Sequence, residues 1–173
     1  AEAKAVTMNM IRGHARMYDA VRAADAVDAD GDGKASAVGL VYNVAPVYPL
    51  DPDDNDDVKA VDDIHYLYNR LFLDAVALGE FDPEADGTQV HDPELANRLD
   101  WLGVNYYTRL VVKGTAESVL PEFSPLLTLG PTAELNLFDD YPQGIAEAVD
   151  FAWKRYGKPI YITENGYTAG SVA

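Results

Sequence analysis

The sequence predicts an α/β protein built on a mostly parallel β-sheet. Segments with helical and strand-like patterns alternate along its 173 residues, and this alternation implies parallel strands joined by right-handed crossovers. The predicted strands are almost continuously apolar, as is typical of parallel strands covered by helices. Three strands and three helices are predicted, so the sheet should be open and only partly covered.

Three segments carry the three- and four-residue apolar spacing of an amphipathic helix. A polar residue able to cap a helix stands at the start of the second, and a glycine follows both the second and the third. Pro142 lies in the first turn of the third, where proline is tolerated. The predicted helices are Thr7–Asp25, Asn55 or Asp56 to Leu78 with Gly79 after it, and Pro142–Tyr156 with Gly157 after it.

Three short segments are rich in apolar and β-branched residues and are predicted to be strands. The connections between these elements contain proline, glycine and aspartate, which favour turns and loops. The predicted strands are Ala37–Val44, Leu99–Val104 with a continuation through 105–112, and Ile160–Thr163. The predicted loops are Tyr48–Asp54, a polar connection at 80–97 and a long excursion at 114–140.

Polar side chains follow the second and third predicted strands. Side chains on a strand alternate between faces, so Asn105 and Tyr107 share one side while Tyr106 points to the other. Glu164 comes directly after the third strand and before an Asn-Gly turn signal. The carboxyl ends of parallel strands border the ligand crevice of α/β proteins. Spacing alone also allows a purely structural interpretation. In that interpretation the tyrosine packs, the asparagine forms a hydrogen bond and the glutamate is solvated, and none of them binds a ligand.

The composition excludes several classes of function. A net charge of −16, from 29 acidic and 13 basic residues, disfavours nucleic acid and anionic membrane surfaces, because phosphate contacts require lysine and arginine. No stretch approaches the roughly 20 apolar residues of a membrane span. Cysteine is absent, so disulfides and thiolate chemistry are excluded, and a cytoplasmic location is expected.

The acidity is concentrated in aspartate runs such as DPDDNDD at 51–57. One hypothesis is a salt-adapted surface, and the alternative is an ordinary solvated surface that maintains solubility. A second run, Asp28 to Gly33, resembles the start of an EF-hand calcium loop, with Ser36 at position 9. Position 12 is Gly39, where a bidentate glutamate is required, so an acidic turn is the stronger interpretation and a calcium-binding module the weaker one.

Five segments together resemble glycoside hydrolase family 1, the β-glucosidases and β-galactosidases. ITENG at 162–166 is similar to the nucleophile signature of that family, and LDWLGVNYYTR at 99–109 is similar to its preceding strand motif. Three further segments also match, and all five occur in the order found in the family. The three are NMIRGHARMYDAV at 9–21, NRLFLDAVALGEF at 69–81 and RYGKPIY at 155–161.

The resemblance implies a (β/α)8 barrel with catalytic groups at the C-terminal ends of its strands. Residues 1–173 would form a single partial barrel of about three parallel strands and three helices. Glu164 matches the nucleophile, Tyr107 matches the tyrosine that donates a hydrogen bond to it, and Asn105 matches a polar neighbour. A hydrogen bond donated to a carboxylate favours its charged, nucleophilic form. The reaction requires two carboxyl groups and no cofactor or metal.

The sequence departs from the family in ways that shape the expected function. The acid/base glutamate of the family lies in an Asn-Glu-Pro motif, which this sequence lacks, and the chain ends nine residues after Glu164. We therefore expect a fragment of a retaining β-glycosidase that acts on β-linked glucosides or galactosides and is inactive alone. A 6-phospho-β-glycosidase is the sibling alternative. Uncovered apolar sheet edges should favour self-association or a complementing barrel segment.

Overall fold

The computed structural model describes residues 2–130 and 139–166, and within them it contains four α-helices, one π-helical segment and seven strands. The helices are α1 (Glu2–Ala24), α2 (Asn55–His65), α3 (Leu71–Leu78) and α4 (Gly144–Tyr156), with the π-helical segment Tyr66–Arg70 between α2 and α3. The strands are β1 (Gly39–Asn43), β2 (Val47–Pro49), β3 (Glu80–Phe81), β4 (Val90–His91), β5 (Trp101–Tyr106), β6 (Leu110–Val112) and β7 (Ile160–Asn165).

The three predicted strands form one parallel sheet in the order β1–β5–β7. Gly39 to Asn43 pair in register with Trp101 to Asn105, and β7 pairs with the other edge of β5. The remaining strands form two small two-stranded sheets, a parallel one from β2 and β6 and an antiparallel one from β3 and β4. The prediction of an open, mostly parallel sheet is confirmed.

One face of this sheet is covered by helices. Leu102, Val104 and Tyr106 of β5 are almost completely buried. They pack against α4 through Ala148 and Ala152 and against α3 through Leu73 and Ala77, which belong to the same core cluster. Small residues on α4 let the helix approach the strand closely, and the burial of these apolar side chains stabilises the layer by about 1.5–3 kcal/mol for each large one.

The opposite face of the sheet is open within the described residues. Val41 and Tyr161, which both pair with Gly103, are 45% and 58% exposed. Tyr161 lies edge-on against Trp101, with ring centroids 5.4 Å apart. This exposed apolar surface agrees with the expectation of an uncovered sheet, and its consequence for self-association stays a prediction.

The helices agree with the sequence in type and differ in detail. The N-cap of α2 is Asp54, whose carboxylate accepts a hydrogen bond from the backbone N–H of Asp56, so the prediction of Asn55 or Asp56 as the cap is wrong. Gly79 ends α3 with φ 75° and Gly157 ends α4 with φ 60°, as predicted from glycine's tolerance of left-handed conformations. The first helix begins at Glu2, five residues before its predicted start.

The predicted second helix is interrupted by the π-helical segment. Asn69, within that segment, is 1% exposed and makes two hydrogen bonds to the backbone of Ala45. Its Oδ1 accepts from the Ala45 N–H at 3.1 Å, and its Nδ2 donates to the Ala45 carbonyl at 2.9 Å. The apolar periodicity of the sequence carries no sign of this contact, because the two residues are 24 positions apart.

Two strand predictions are corrected. The predicted loop Tyr48–Asp54 begins inside β2, because Val47–Pro49 is extended and pairs with β6. The continuation of the second predicted strand divides, since β5 ends at Tyr106 and β6 begins at Leu110 in the other parallel sheet. The predicted excursion at 114–140 contains an antiparallel bridge between Gly114 and Leu129, and its residues 131–138 lie outside the described residues.

In the described parts of the chain, no helix is both long enough and apolar enough to cross a bilayer.

Candidate active site

Strand β7 carries a bulge beside the end of β5. Val104 pairs with Ile162, but the next residue of β5, Asn105, pairs with Glu164, so Thr163 is the extra residue. A bulge of this kind changes the direction of side chains at a strand end. Here it lets two successive residues, Thr163 and Glu164, contact side chains on the same side of β5.

The structure brings together the three residues that the sequence singles out. The hydroxyl of Tyr107 donates a hydrogen bond to Oε2 of Glu164. The hydroxyl of Thr163 donates to Oδ1 of Asn105 at 2.6 Å. Tyr106, predicted to face the other way, is 2% exposed in the helix-covered core. Glu164, Tyr107 and Asn105 therefore share the open face of the sheet, at the C-terminal ends of β5 and β7.

The hydrogen bond to Glu164 raises the pKa of the Tyr107 phenol above its ordinary value. The physical cause is direct, because ionisation of the phenol would remove the donor and place a second negative charge beside the carboxylate. Within residues 2–130 and 139–166, Tyr107 is the only side chain that donates to Glu164. Oε2 is thus engaged, while Oε1 has no protein partner in this part of the chain and Glu164 is exposed.

A small cavity of about 160 Å³ adjoins this pair. Its lining includes Tyr107, Tyr141, Pro142, Asn165 and Gly166. The backbone carbonyl of Tyr141 accepts a hydrogen bond from the Tyr106 hydroxyl. The loop before α4 is therefore attached to β5 immediately beside the candidate site.

A second polar cluster behind this loop was not predicted from the sequence. Both oxygens of Glu147 on α4 accept phenol hydroxyls at 2.6 Å, one from Tyr48 and one from Tyr141. The hydrogen bond to Glu147 is the main cause of the raised pKa of Tyr48. Arg109 stacks over the Tyr141 ring at 4.5 Å and forms an ion pair with Asp139 at 2.6 Å. No local spacing indicates this cluster, because Tyr48 and Glu147 are 99 positions apart.

The acidic turn at Asp28 to Gly33 is exposed. Oxygens of Asp28, Asp30 and Asp32 lie within 4.8 Å of one another. The Asp28 carboxylate accepts backbone N–H groups from Gly31 at 2.8 Å and Gly33 at 3.0 Å. These hydrogen bonds are those of an aspartate-stabilised turn.

Comparison with known proteins decides the family. The sequence matches the family described as glycosyl hydrolase family 1 over residues 2–172. The chain belongs to this family. The resemblance drawn from its motifs is thereby confirmed, and the match runs through the acidic turn, which favours a loop of the enzyme fold over a separate calcium-binding module.

Relatives of this family 1 chain include archaeal β-galactosidases. It is 35% identical to the β-galactosidase of Pyrococcus woesei, over 95% of this chain and 36% of that protein. It is 37% identical to the β-galactosidase of Sulfolobus acidocaldarius, over 91% of this chain and 31% of that protein. The chain thus spans about a third of the length of the curated relatives it matches.

Solved structures agree with the architecture of this family 1 chain. The β-glycosidase from Pyrococcus horikoshii matches with a TM-score of 0.66 and 30% identity, over 95% of this chain and 35% of that one. A rice β-glucosidase matches with a TM-score of 0.70 at 18% identity, covering all of this chain and 41% of that one, and shows the fold alone. The predicted fold class is confirmed, because the chain is part of a (β/α)8 barrel. In such barrels the helix-free face of the sheet lines the interior.

Proposed function

We propose that this chain supplies the nucleophile side of a retaining β-glycosidase site, with Glu164 as the nucleophile. The observation that carries the proposal is the hydrogen bond from Tyr107 to Glu164 at the C-terminal ends of two adjacent parallel strands. Catalytic groups of (β/α)8 barrels lie at this end. Family membership over residues 2–172 supports hydrolysis of glycosides as the reaction class.

The free oxygen of Glu164 is the attacking atom in this proposal. Oε1 bonds to the anomeric carbon of a β-glycoside, while the glycosidic oxygen leaves with a proton from a second carboxyl group. The product is a glycosyl ester of inverted configuration. Water, deprotonated by that second carboxylate, then attacks the same carbon and releases Glu164. Tyr107 holds Oε2 in both steps and favours the charged carboxylate at the start and at the end.

Asn105 is proposed to bind the sugar. Its Oδ1 accepts the Thr163 hydroxyl, so the two N–H bonds of Nδ2 remain as donors for a ligand. Sugar hydroxyls accept such hydrogen bonds, and interactions of this kind that strengthen in the transition state contribute several kcal/mol to glycoside hydrolysis. Asn105 is half-buried, which partly shields this contact from water.

The second carboxyl group is proposed to come from outside these 173 residues, which form a single partial barrel. The retaining reaction requires it at about 5–5.5 Å from the nucleophile, and the sequence contains no Asn-Glu-Pro tripeptide. We therefore expect no hydrolysis of a nitrophenyl β-glucoside by the 173-residue chain alone, and activity only together with a complementing barrel segment. Turnover by the pure chain would contradict this arrangement.

The proposed substrates are small β-linked glucosides or galactosides, because the archaeal relatives are named β-galactosidases and a relative from Agrobacterium is named a β-glucosidase. A phosphorylated substrate is the second candidate, because the 6-phospho-β-galactosidase of Staphylococcus aureus is 28% identical over 91% of this chain. Rates with nitrophenyl β-galactoside and its 6-phosphate, measured side by side in the full-length protein, distinguish the two. A preference for the phosphate by more than about tenfold would select the second candidate.

The test of the nucleophile is replacement of its carboxylate. In the full-length protein Glu164→Gln should lower kcat by about 10⁴- to 10⁶-fold, as loss of a reacting group does in other enzymes. Glu164→Ala with added azide should recover turnover and form a glycosyl azide of inverted configuration. Glu117→Gln, at an exposed position in another loop, is the control and should remain active. Residual activity of Glu164→Gln near the wild-type rate would exclude the proposed role.

The acidic surface is proposed to be an adaptation to salt. A net charge of −16 repels itself at low ionic strength, and salt screens that repulsion. Melting of the protein in low and in multimolar KCl tests this proposal. A melting temperature that does not change with KCl would contradict it.

A further inference from the structure

We propose that Thr163 is a positioning residue, which fixes the amide of Asn105 and, through the β7 bulge, directs Glu164 onto the open face of the sheet. This inference rests on the proposed role of Glu164 and adds a device that holds it in place. Three independent observations support it: the place of Thr163 in the strand pairing, its hydrogen bond and its packing.

The strand pairing gives Thr163 its first role. In a regular strand Thr163 and Glu164 would point to opposite faces. Because Thr163 is the unpaired residue of the bulge, Glu164 pairs with Asn105 and its side chain reaches Tyr107. Thr163 itself stays on that side and contacts Asn105. The bulge is therefore what places a hydroxyl and a carboxylate from adjacent positions on one face.

The hydrogen bond gives Thr163 its second role. An asparagine amide has two orientations that exchange its donor and acceptor ends. The hydroxyl of Thr163 donates to Oδ1 at 2.6 Å, which turns Nδ2 away from Thr163 and leaves it for a ligand. Without this hydroxyl the amide can rotate and present an acceptor where a sugar hydroxyl needs a donor.

The packing of Thr163 explains a glycine in the neighbouring strand. A Cβ atom at Gly103 would lie 2.9 Å from Cγ2 of Thr163 and 2.9 Å from Cγ2 of Val41. Contacts this short require a neighbour to move. Gly103 thus leaves the space in which the Thr163 methyl group sits. Gly103→Ala should displace Thr163 and reproduce the effect of its removal.

The kinetic test uses the full-length protein. Thr163→Val keeps the shape and removes the hydroxyl, and we expect kcat/KM to fall about tenfold, which corresponds to one hydrogen bond. Thr163→Ser keeps the hydroxyl and should stay within about threefold of wild type. In an Asn105→Ala background Thr163→Val should have little further effect, because contacts made through a shared partner are not additive.

A spectroscopic test does not depend on activity. Titration of the Tyr107 phenol, followed by NMR of ¹³Cζ-labelled tyrosine, reports whether Glu164 remains beside it. In Gly103→Ala, which displaces Thr163, the pKa of Tyr107 should move back toward that of a free phenol, and in Thr163→Val and Thr163→Ser, which keep the packing, it should not. Glu164→Gln gives the reference for complete loss of the charged partner.

The outcomes separate the two proposals. A full-length protein without glycosidase activity whose Tyr107 titration still changes in Gly103→Ala would refute the proposed function and support the positioning role. Unchanged rates in Thr163→Val together with an unchanged Tyr107 titration in Gly103→Ala would overturn the positioning role. Equal damage from serine and valine would also overturn it, because the hydroxyl could not then be the cause.

Discussion

Asp74 and Glu164 each accept a hydrogen bond from a tyrosine, but the surroundings of the two carboxylates are opposite. Asp74 of α3 is completely buried on the helix side of the sheet and accepts the Tyr156 hydroxyl at 2.9 Å. Arg155 also donates to both of its oxygens, at 2.5 Å and 2.7 Å. Glu164 is exposed on the open face and accepts from Tyr107.

The difference separates a structural carboxylate, Asp74, from the proposed nucleophile, Glu164. A buried charge requires full pairing, and Asp74 has further donors in Arg70 and Gln89 at 3.1 Å each. No oxygen of Asp74 is left to react. Glu164 keeps an oxygen without a partner among the described residues, and its side chain is exposed. The helix face therefore holds the fold, and the open face holds the proposed chemistry.

Removal of the buried carboxylate should have the largest effect on stability. Asp74→Ala leaves Arg155 and Arg70 without their shared partner, and we expect the free energy of unfolding to fall by about 3–5 kcal/mol. Urea unfolding measures this change. Glu164→Gln is the matched control and should change stability by less than about 0.5 kcal/mol. A loss below about 1 kcal/mol for Asp74→Ala would mean that the buried cluster does not hold the helices together.

Alkaline pH should weaken the helix side of the sheet next. Burial raises the pKa of Tyr42 to about 12, above the value near 10 of an unfolded tyrosine. The stabilisation by the protonated phenol of Tyr42 is complete below pH 10 and is lost as the pH rises through about 12. Tyr42→Phe should reduce the pH-dependent loss by about 1–2 kcal/mol, after allowance for partial exposure. Unfolding at pH 9 and pH 11.5 tests this, and an unchanged slope would contradict it.

Removal of the tyrosine hydroxyls that donate to these two carboxylates should have the smallest effects on stability. Tyr156→Phe removes one buried hydrogen bond to Asp74 and should cost about 1–1.5 kcal/mol of stability. Tyr107→Phe, on the open face, should cost less than about 0.5 kcal/mol but lower kcat/KM of the full-length protein about tenfold. Tyr161→Phe is the control for both, because its hydroxyl makes no hydrogen bond within the described residues. Equal stability losses at Tyr156 and Tyr107 would remove the distinction between the faces.

Local signals in the sequence predicted what depends on local chemistry. The apolar runs indicated the three main strands, and the glycines at 79 and 157 indicated two helix ends, because only a residue without Cβ adopts those conformations easily. The polar residues Asn105, Tyr107 and Glu164 stood out because they follow apolar strands. The family resemblance then supplied the barrel and the proposed roles.

Features that depend on contacts between distant segments were missed. The pairing of β2 with β6 and the π-helical segment are set by partners far along the chain. The bulge at Thr163 is of the same kind, because it is defined by pairing with β5. Asn105 of β5, which Thr163 contacts, is 58 positions away in the sequence. The residues of the candidate site could therefore be predicted, whereas the way they come to share one face could not.

The most direct test is to identify the residue that becomes covalently linked to the sugar. The full-length protein is incubated with a 2-deoxy-2-fluoro-β-glycosyl fluoride, which forms the glycosyl ester but slows its hydrolysis, and the labelled peptide is identified by mass spectrometry. We expect the sugar on Glu164, and no label in Glu164→Gln. Labelling of a different carboxylate, or steady turnover of this reagent by Glu164→Gln, would contradict the assignment of Glu164 as the nucleophile.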